Sequence, residues 1–276
     1  MNTRLKSSAI IWTATVLIIA TLGIHGAIFL LALIAYFSQL ELYQMFEKMG
    51  LRPMKQIGLI CGSALIFGSY YFGSLEAGEN IFLISFLGLI LLIARVDVQE
   101  GRFKSLLPTL FGFIYIPYLL HFLIKLYHLN ILQGNDSSSS IFLGLWVIAI
   151  AINTDIGGYI FGKIIGKTKF SIVSPNKTYE GAVGGVLFSV SASIAILLIF
   201  PQYAPSQLNP IIAILITVPI SLASIASDLI ESAFKRQANQ KDSSNIIPGV
   251  GGVFDLSDSI ILTAPLAYLL IKFFVF

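Results

Sequence analysis

The run Ser7–Leu40, SSAIIWTATVLIIATLGIHGAIFLLALIAYFSQL, carries no Lys, Arg, Asp or Glu from end to end. A bilayer-spanning helix needs about 20 apolar residues, so the run is too long for one crossing. It also far exceeds the apolar core of a signal peptide, about 7–15 residues, although Arg4 and Lys6 precede it as basic residues precede such a core. It reads as a membrane hairpin turning near Gly23-Ile24-His25-Gly26. Outward from it, further apolar stretches follow at 56–75, 80–94, 105–127, 138–154, 181–200, 209–227 and 259–276. Lys125 lies near the end of one of these, where its ammonium can snorkel to the interface. Together they predict nine spans, or eight if the first hairpin dips without crossing.

Composition agrees. The 17 basic and 14 acidic residues make up 11% of the 276, less than half of the roughly 25% usual in soluble domains. The apolar fraction is 56%, with 21 Phe, and the mean hydropathy is +0.87. These values exclude a disordered chain, a nucleic-acid binder built on basic patches and a small disulfide scaffold. The single cysteine, Cys61, allows no intramolecular disulfide and no cysteine zinc cluster. The expected fold is all-α, a polytopic integral membrane protein forming one domain over 1–276, with N-terminal scaffold spans in 1–150 and a catalytic half in 151–276. Nine alternating spans put 15 of the 17 basic residues on the side of the N-terminus, leaving Lys125 and Lys272 opposite. The positive-inside rule makes that side the cytoplasm, which predicts a multi-pass cell (inner) membrane protein whose charged segments face the cytoplasm.

Two such segments stand apart. In the first, Asp155, Tyr159 and Lys163 are four residues apart and share a helix face. Asp155 follows a long apolar run, and an ionisable group at membrane depth is a functional candidate by default; the alternative is an interfacial carboxylate stabilised by Lys163. The pairs Gly157-Gly158 and Gly184-Gly185 could serve close helix packing alone. Between them, Ser174-Pro175, Lys177-Thr178 and Glu180 look like the start of a helix, with a polar cap, an early proline and an acid in the first turn. The same hydroxyls and ammonium would suit a phosphate chain at a helix N-terminus.

The second segment is Ser227–Ser259, SDLIESAFKRQANQKDSSNIIPGVGGVFDLSDS. Asp228, Glu231, Lys235 and Arg236 fall on one face of a helix leaving the membrane, and Asp255 and Asp258 sit three apart at the start of the last apolar stretch. A solvated face with helix salt bridges would account for the first group, and N-terminal capping for the second. Neither explains why charge of both signs converges at membrane level. Separated Asp residues among cations suit a polyphosphate chelated by Mg²⁺. The loop Pro248-Gly249-Val250-Gly251-Gly252 could admit a ligand close to the backbone, but no Gly-Lys-Ser/Thr follows, so it is not a P-loop. His25, His121 and His128 share no motif and read as structural.

At these residues the sequence resembles the phosphatidate cytidylyltransferase (CDP-diacylglycerol synthase) family. Ser232, Lys235, Arg236, Lys241, Asp242, Pro248, Gly249, Gly251, Gly252, Asp255, Asp258 and Ser259 stand in register with its signature, as do Asp228-Leu229, Glu231 and the upstream Ser174-Pro175, Lys177-Thr178, Glu180-Gly181. Three positions depart: Val250 replaces the usual His, Leu256 the usual Arg and Ser227 a common Gly. The missing Arg removes a fixed fork for phosphate oxygens. The resemblance implies attack of a phosphatidic acid oxygen on the α-phosphorus of CTP, giving CDP-diacylglycerol and pyrophosphate. It implies a Mg²⁺-dependent membrane enzyme with Asp228 and Asp255 as metal ligands, and leaves room for a second, monovalent cation and for a homodimer. On it, Lys177 joins Asp228 and Asp255 as catalytic. Asp155, Ser174, Thr178, Glu180, Glu231, Lys235, Arg236, Lys241, Asp242 and Asp258 are expected to bind CTP or phosphatidate, within a shell of membrane lipids and with no nucleic acid. The rival readings are a cytidylyltransferase for another lipid phosphate, a related CTP-dependent lipid kinase, and, from another class, a cation-coupled transporter. A transporter should carry its charges mid-span at a broken repeat; here they gather at one end of the spans.

Overall fold

The computed structural model describes residues 2–94, 103–249 and 251–276. Val250 lies outside the described residues, as do Arg95 and Arg102, two of the 15 basic residues counted on the side of the N-terminus. The elements are α1 (Asn2–Lys48), α2 (Lys55–Tyr71), α3 (Ala77–Ala94), α4 (Phe103–Phe113), a π-helical turn (Ile114–Tyr118), α5 (Leu119–Leu132), α6 (Ser137–Ile165), α7 (Tyr179–Ile199), α8 (Pro210–Gln237), α9 (Phe254–Ile261) and α10 (Thr263–Phe274). β-Pairing among the described residues is confined to two isolated bridges, Lys169 with Thr178 and Ile247 with Gly251. The fold is the expected all-α polytopic membrane architecture.

Six helical stretches among the described residues are long and apolar enough to cross a membrane, fewer than the expected nine. The difference lies at the N-terminal end. The first hairpin counts as one stretch, Ala9–Lys48, while α2 has only 17 residues and the apolar part of α3, Ala77–Leu91, is shorter still. α1 is nonetheless broken where the turn was expected. Gly23 has φ 55° and ψ −131°, and a Cβ on Gly26 would lie 2.5 Å from the carbonyl oxygen of Ile18. Eight residues along an unbroken helix span about 12 Å, so the chain doubles back at Gly23.

The chain divides into two compact units, Met1–Ile124 with Phe234–Ser257, and Lys125–Ala233 with Asp258–Phe276. Each of the three breaks in the chain falls inside a helix, so α5, α8 and α9 contribute residues to both units.

In the first unit, Tyr43 is fully buried and sits in a slot made by two glycines. A Cβ on Gly58 of α2 or on Gly112 of α4 would come within 2.3 Å of its ring or hydroxyl. The Tyr43 hydroxyl donates to the Thr109 carbonyl at 2.8 Å, and the Gln39 amide donates to the Tyr43 oxygen at 2.9 Å and to the Gly58 carbonyl at 3.0 Å. Pro117 lies in the π-helical turn, a local widening that suits a residue lacking an N–H for the helical ladder.

In the second unit, α6 and α7 pack backbone to backbone. A Cβ on Gly185 would stand 2.6 Å from the Thr154 carbonyl, and one on Gly157 2.6 Å from Phe188 Cβ. Small residues let helices approach in lipid, where van der Waals contact and interhelical hydrogen bonds replace the hydrophobic drive. Such bonds are present: Ser189 Oγ donates to the Ile150 carbonyl at 2.9 Å, and Thr217 Oγ1 of α8 donates to Ser193 Oγ at 2.9 Å. The packing role anticipated for the glycine pairs is therefore realised.

Candidate active site

α7 starts later than Ser174-Pro175 suggested. Its cap is Thr178, whose hydroxyl accepts from the Gly181 amide at 3.1 Å, and the helix begins at Tyr179 with Glu180 in the first turn. Ser174 and Pro175 lie instead in a turn closed by the Lys177 amide donating to the Ser174 carbonyl at 3.0 Å. The reason is local: Thr178 is extended (φ −123°, ψ 152°), and such a residue offers its side-chain oxygen to the first free amides of a helix. Glu180 reaches back. Its Oε2 accepts from the Lys167 and Thr168 amides, both at 3.1 Å, and Oε1 lies 3.2 Å from the latter. It thereby ties down the connection that carries Lys177.

Lys177 Nζ lies 2.5 Å from Asp228 Oδ2 of α8 and 3.4 Å from the Ile225 carbonyl. Both partners line a cavity of about 220 Å³ with Asp155, Tyr159, Phe170 and Asn176. α6, α7 and α8 thus converge on one concave surface carrying a cation, two carboxylates, an amide and two aromatic rings. Asp155 Oδ2 accepts from the Ser259 hydroxyl at 2.5 Å, while Lys163 lies over the Tyr159 ring, its Nζ 6.0 Å from the centroid. The alternative that gave Lys163 to Asp155 does not describe this arrangement.

Asp228, Glu231 and Asp258 each offer an oxygen, and these oxygens lie within 4.8 Å of one another. Glu231 is fully buried and Asp258 nearly so, so neither belongs to a solvated helix face. Asp258 Oδ1 accepts from the Ser259 amide at 2.6 Å, and the Ser227 hydroxyl donates to the Asp258 carbonyl. Three clustered carboxylates from α8 and α9 form a hard, anionic oxygen set of the kind that Mg²⁺ and Ca²⁺ take.

Asp255 belongs to the first unit, and its surroundings differ. Oδ1 accepts from Lys235 Nζ at 2.9 Å; Oδ2 accepts from the Gly252 amide at 2.7 Å and from the Ser243 amide at 3.0 Å. These are N–H donors satisfying an anion, and the Gly252 bond is close to the capping role considered for this residue. A Cβ on Gly251 would lie 2.4 Å from Asp255 Oδ2, so glycine there is a condition of this contact. Arg236 is exposed, with one guanidinium nitrogen 3.4 Å from the Gln240 carbonyl, and Lys241 and Asp242 are exposed beyond the end of α8. Leu256, where the resembling family carries Arg, is 43% exposed.

Three residues of these surroundings were not singled out from sequence: Asn176 on the cavity wall, Ser243 beside Asp255, and Glu41, which accepts from the Ser243 hydroxyl. Glu41 had a legible signal, since it is the first ionisable group after the uncharged run that ends at Leu40.

The chain belongs to the Cytidylyltransferase family, which matches residues 2–274. Among curated proteins it is similar to a phosphatidate cytidylyltransferase of Staphylococcus epidermidis, 32% identical over 248 residues, covering 88% of this chain and 87% of the relative. Shorter matches at higher identity are to the phosphatidate cytidylyltransferases of Staphylococcus haemolyticus, 40% identical over 131 residues (47% of this chain, 46% of the relative), and Staphylococcus aureus, 39% over 128 residues (46% and 48%).

Proposed function

We propose that this protein is a phosphatidate cytidylyltransferase, transferring CMP from CTP to phosphatidic acid to form CDP-diacylglycerol and pyrophosphate. The observation that carries the reading is the Lys177–Asp228 pair on the wall of a cavity, in a chain of the Cytidylyltransferase family. The phosphatidate oxygen bonds to the α-phosphorus of CTP as the bond to the pyrophosphate oxygen breaks. The attacking phosphate is already anionic near neutral pH, so the reaction asks for positioning and charge neutralisation rather than a general base. Lys177, Lys235, Arg236 and Lys241 bind phosphate oxygens of CTP or phosphatidate. Asp155, Ser174, Thr178 and Asp242 orient substrate or those cations, and Glu180 holds the loop that presents Lys177.

The donor set of Asp228, Glu231 and Asp258 fits a divalent cation such as Mg²⁺, which would supply further charge neutralisation at phosphate oxygens. Asp255 is kept as an expected ligand, and its N–H donors and its bond to Lys235 support a further role in orienting the Lys235 ammonium. The basic residues gathered at one end of the spans support a site facing the cytoplasm of the cell membrane.

Purified protein in detergent, given radiolabelled CTP, Mg²⁺ and phosphatidate, is expected to form CDP-diacylglycerol and release pyrophosphate in equal amounts. Absence of CDP-lipid, with product formed from another lipid phosphate or a lipid alcohol, overturns the reading.

A further inference from the structure

Glu41 of α1 is fully buried, and its hydrogen-bond donors all come from one stretch of chain. Oε1 accepts from the Ser244 hydroxyl at 2.7 Å and the Val253 amide at 3.0 Å; Oε2 accepts from the Ser243 hydroxyl at 2.8 Å and the Phe254 amide at 2.8 Å. A carboxylate has about four lone-pair sites, so these donors fill Glu41 and leave nothing for a metal ion. The Ser243 hydroxyl also lies 3.0 Å from Asp255 Oδ2, its single proton shared between the two carboxylates. Asp255 in turn holds Lys235 at 2.9 Å. A Cβ on Gly252 would come within 2.2 Å of Glu41 Oε2 and 2.0 Å of Ser243 Oγ, so this glycine is what lets the segment close around the carboxylate. A buried carboxylate is costly unless donors replace its water. Both ends of the Ser243–Phe254 segment supply them, and carboxylate and segment hold each other.

We infer that Glu41 is a positioning residue for the nucleotidyl transfer: it clamps the segment on which Asp255 and Ser243 depend, and so sets the place of the Lys235 ammonium without itself touching substrate. The inference rests on the reading that Lys235 binds substrate phosphate.

The test compares wild type, Glu41→Gln, Ser243→Ala and the double variant, as full-length protein in detergent. Glu41→Gln keeps the shape but replaces one acceptor oxygen with a donor that faces other donors. It is expected to lower kcat about tenfold with KM for phosphatidate changed less than about twofold, a displacement of the catalytic geometry rather than a loss of binding. Ser243→Ala is expected to lower kcat in the same sense, and the double variant to be no slower than the slower single one, because both act through one contact. A merely structural role would instead lower the melting temperature and the active fraction, with losses that multiply. Should Glu41→Gln not fold, Ser244→Ala, which removes one donor, replaces it with an expected fall of about threefold. Hydrogen exchange on the same proteins without substrate is expected to quicken at the Ser243, Val253 and Phe254 amides and to stay unchanged in α6 and α7. Unchanged kcat, multiplying losses, or unchanged exchange beside an active wild type overturns the inference alone. A wild type that makes no CDP-lipid overturns the functional reading and with it the catalytic role of Glu41, while quickened exchange would still establish the clamp.

Discussion

Lys177, in the connection between α6 and α7, meets Asp228 of α8 at 2.5 Å, each about a quarter exposed. A pair held this close at a cavity wall contributes little to stability, about 0–1 kcal/mol for partly solvated pairs, but it fixes a cation beside a carboxylate where phosphate is proposed to bind. Lys177→Ala is therefore expected to lower kcat/KM by about a hundredfold or more, the scale of removing one transition-state donor. The melting temperature should move by no more than about 2 °C. A large fall in melting temperature with residual activity would make the pair structural.

The three clustered carboxylates give a metal prediction with a direct readout. Asp258→Asn and Glu231→Gln each remove one anionic ligand, so the Mg²⁺ concentration for half-maximal turnover should rise about tenfold in each, the lower end of the usual cost for weakening a metal site. Chelation should abolish wild-type turnover, and added Mg²⁺ should restore it. An unchanged Mg²⁺ requirement in both variants would remove these residues from the ion's shell.

Glu180 should behave as a tether. In Glu180→Gln the bonds to the Lys167 and Thr168 amides weaken, and exchange at those two amides is expected to quicken in ligand-free protein by about fivefold. KM for CTP should rise as Lys177 loses its fixed setting. If exchange is unchanged while KM rises, Glu180 contacts substrate instead.

Gly185→Ala tests the α6–α7 seam. A methyl 2.6 Å from the Thr154 carbonyl must push the helices apart, and overpacking of this kind costs about 1–3 kcal/mol. Thermal unfolding in detergent should show the loss, and activity per folded molecule should fall because Asp155 and Lys177 sit on either side of that seam. Gly88, whose added Cβ would meet nothing within 4 Å, provides the control: Gly88→Ala should be neutral or mildly stabilising.

How much of this was legible in the sequence can be traced through particular residues. Asp155, Asp228 and Asp258 stood out because charge is expensive at membrane depth and each borders an apolar run, and Lys177 because it stands among hydroxyls at a helix start suited to phosphate. The turn at Gly23 was legible for the complementary reason: an uncharged run too long for one crossing must fold back, and glycine adopts the positive φ this requires. The boundaries of α7 were less legible, since Ser174 and Thr178 are both suitable caps and only the backbone at Thr178 selects between them. The partners of Glu180, the Lys167 and Thr168 amides, were not legible, because sequence shows that a carboxylate is present and not which donors will reach it.

What the sequence by itself determined is the solvent of the chain and the places where it departs from that solvent. Hydropathy and charge scarcity imply helices in a bilayer, because only internally hydrogen-bonded elements survive there, and they mark two short segments as chemically different. What only the tertiary structure decided is which charge meets which. Asp255 and Asp258 are one helical turn apart, yet the first is held by Lys235 and backbone amides while the second joins Asp228 and Glu231. Glu41 is more than 200 residues from the segment it clamps. Such pairings follow from the packing of side chains remote in sequence, and neither spacing nor periodicity along the chain encodes them.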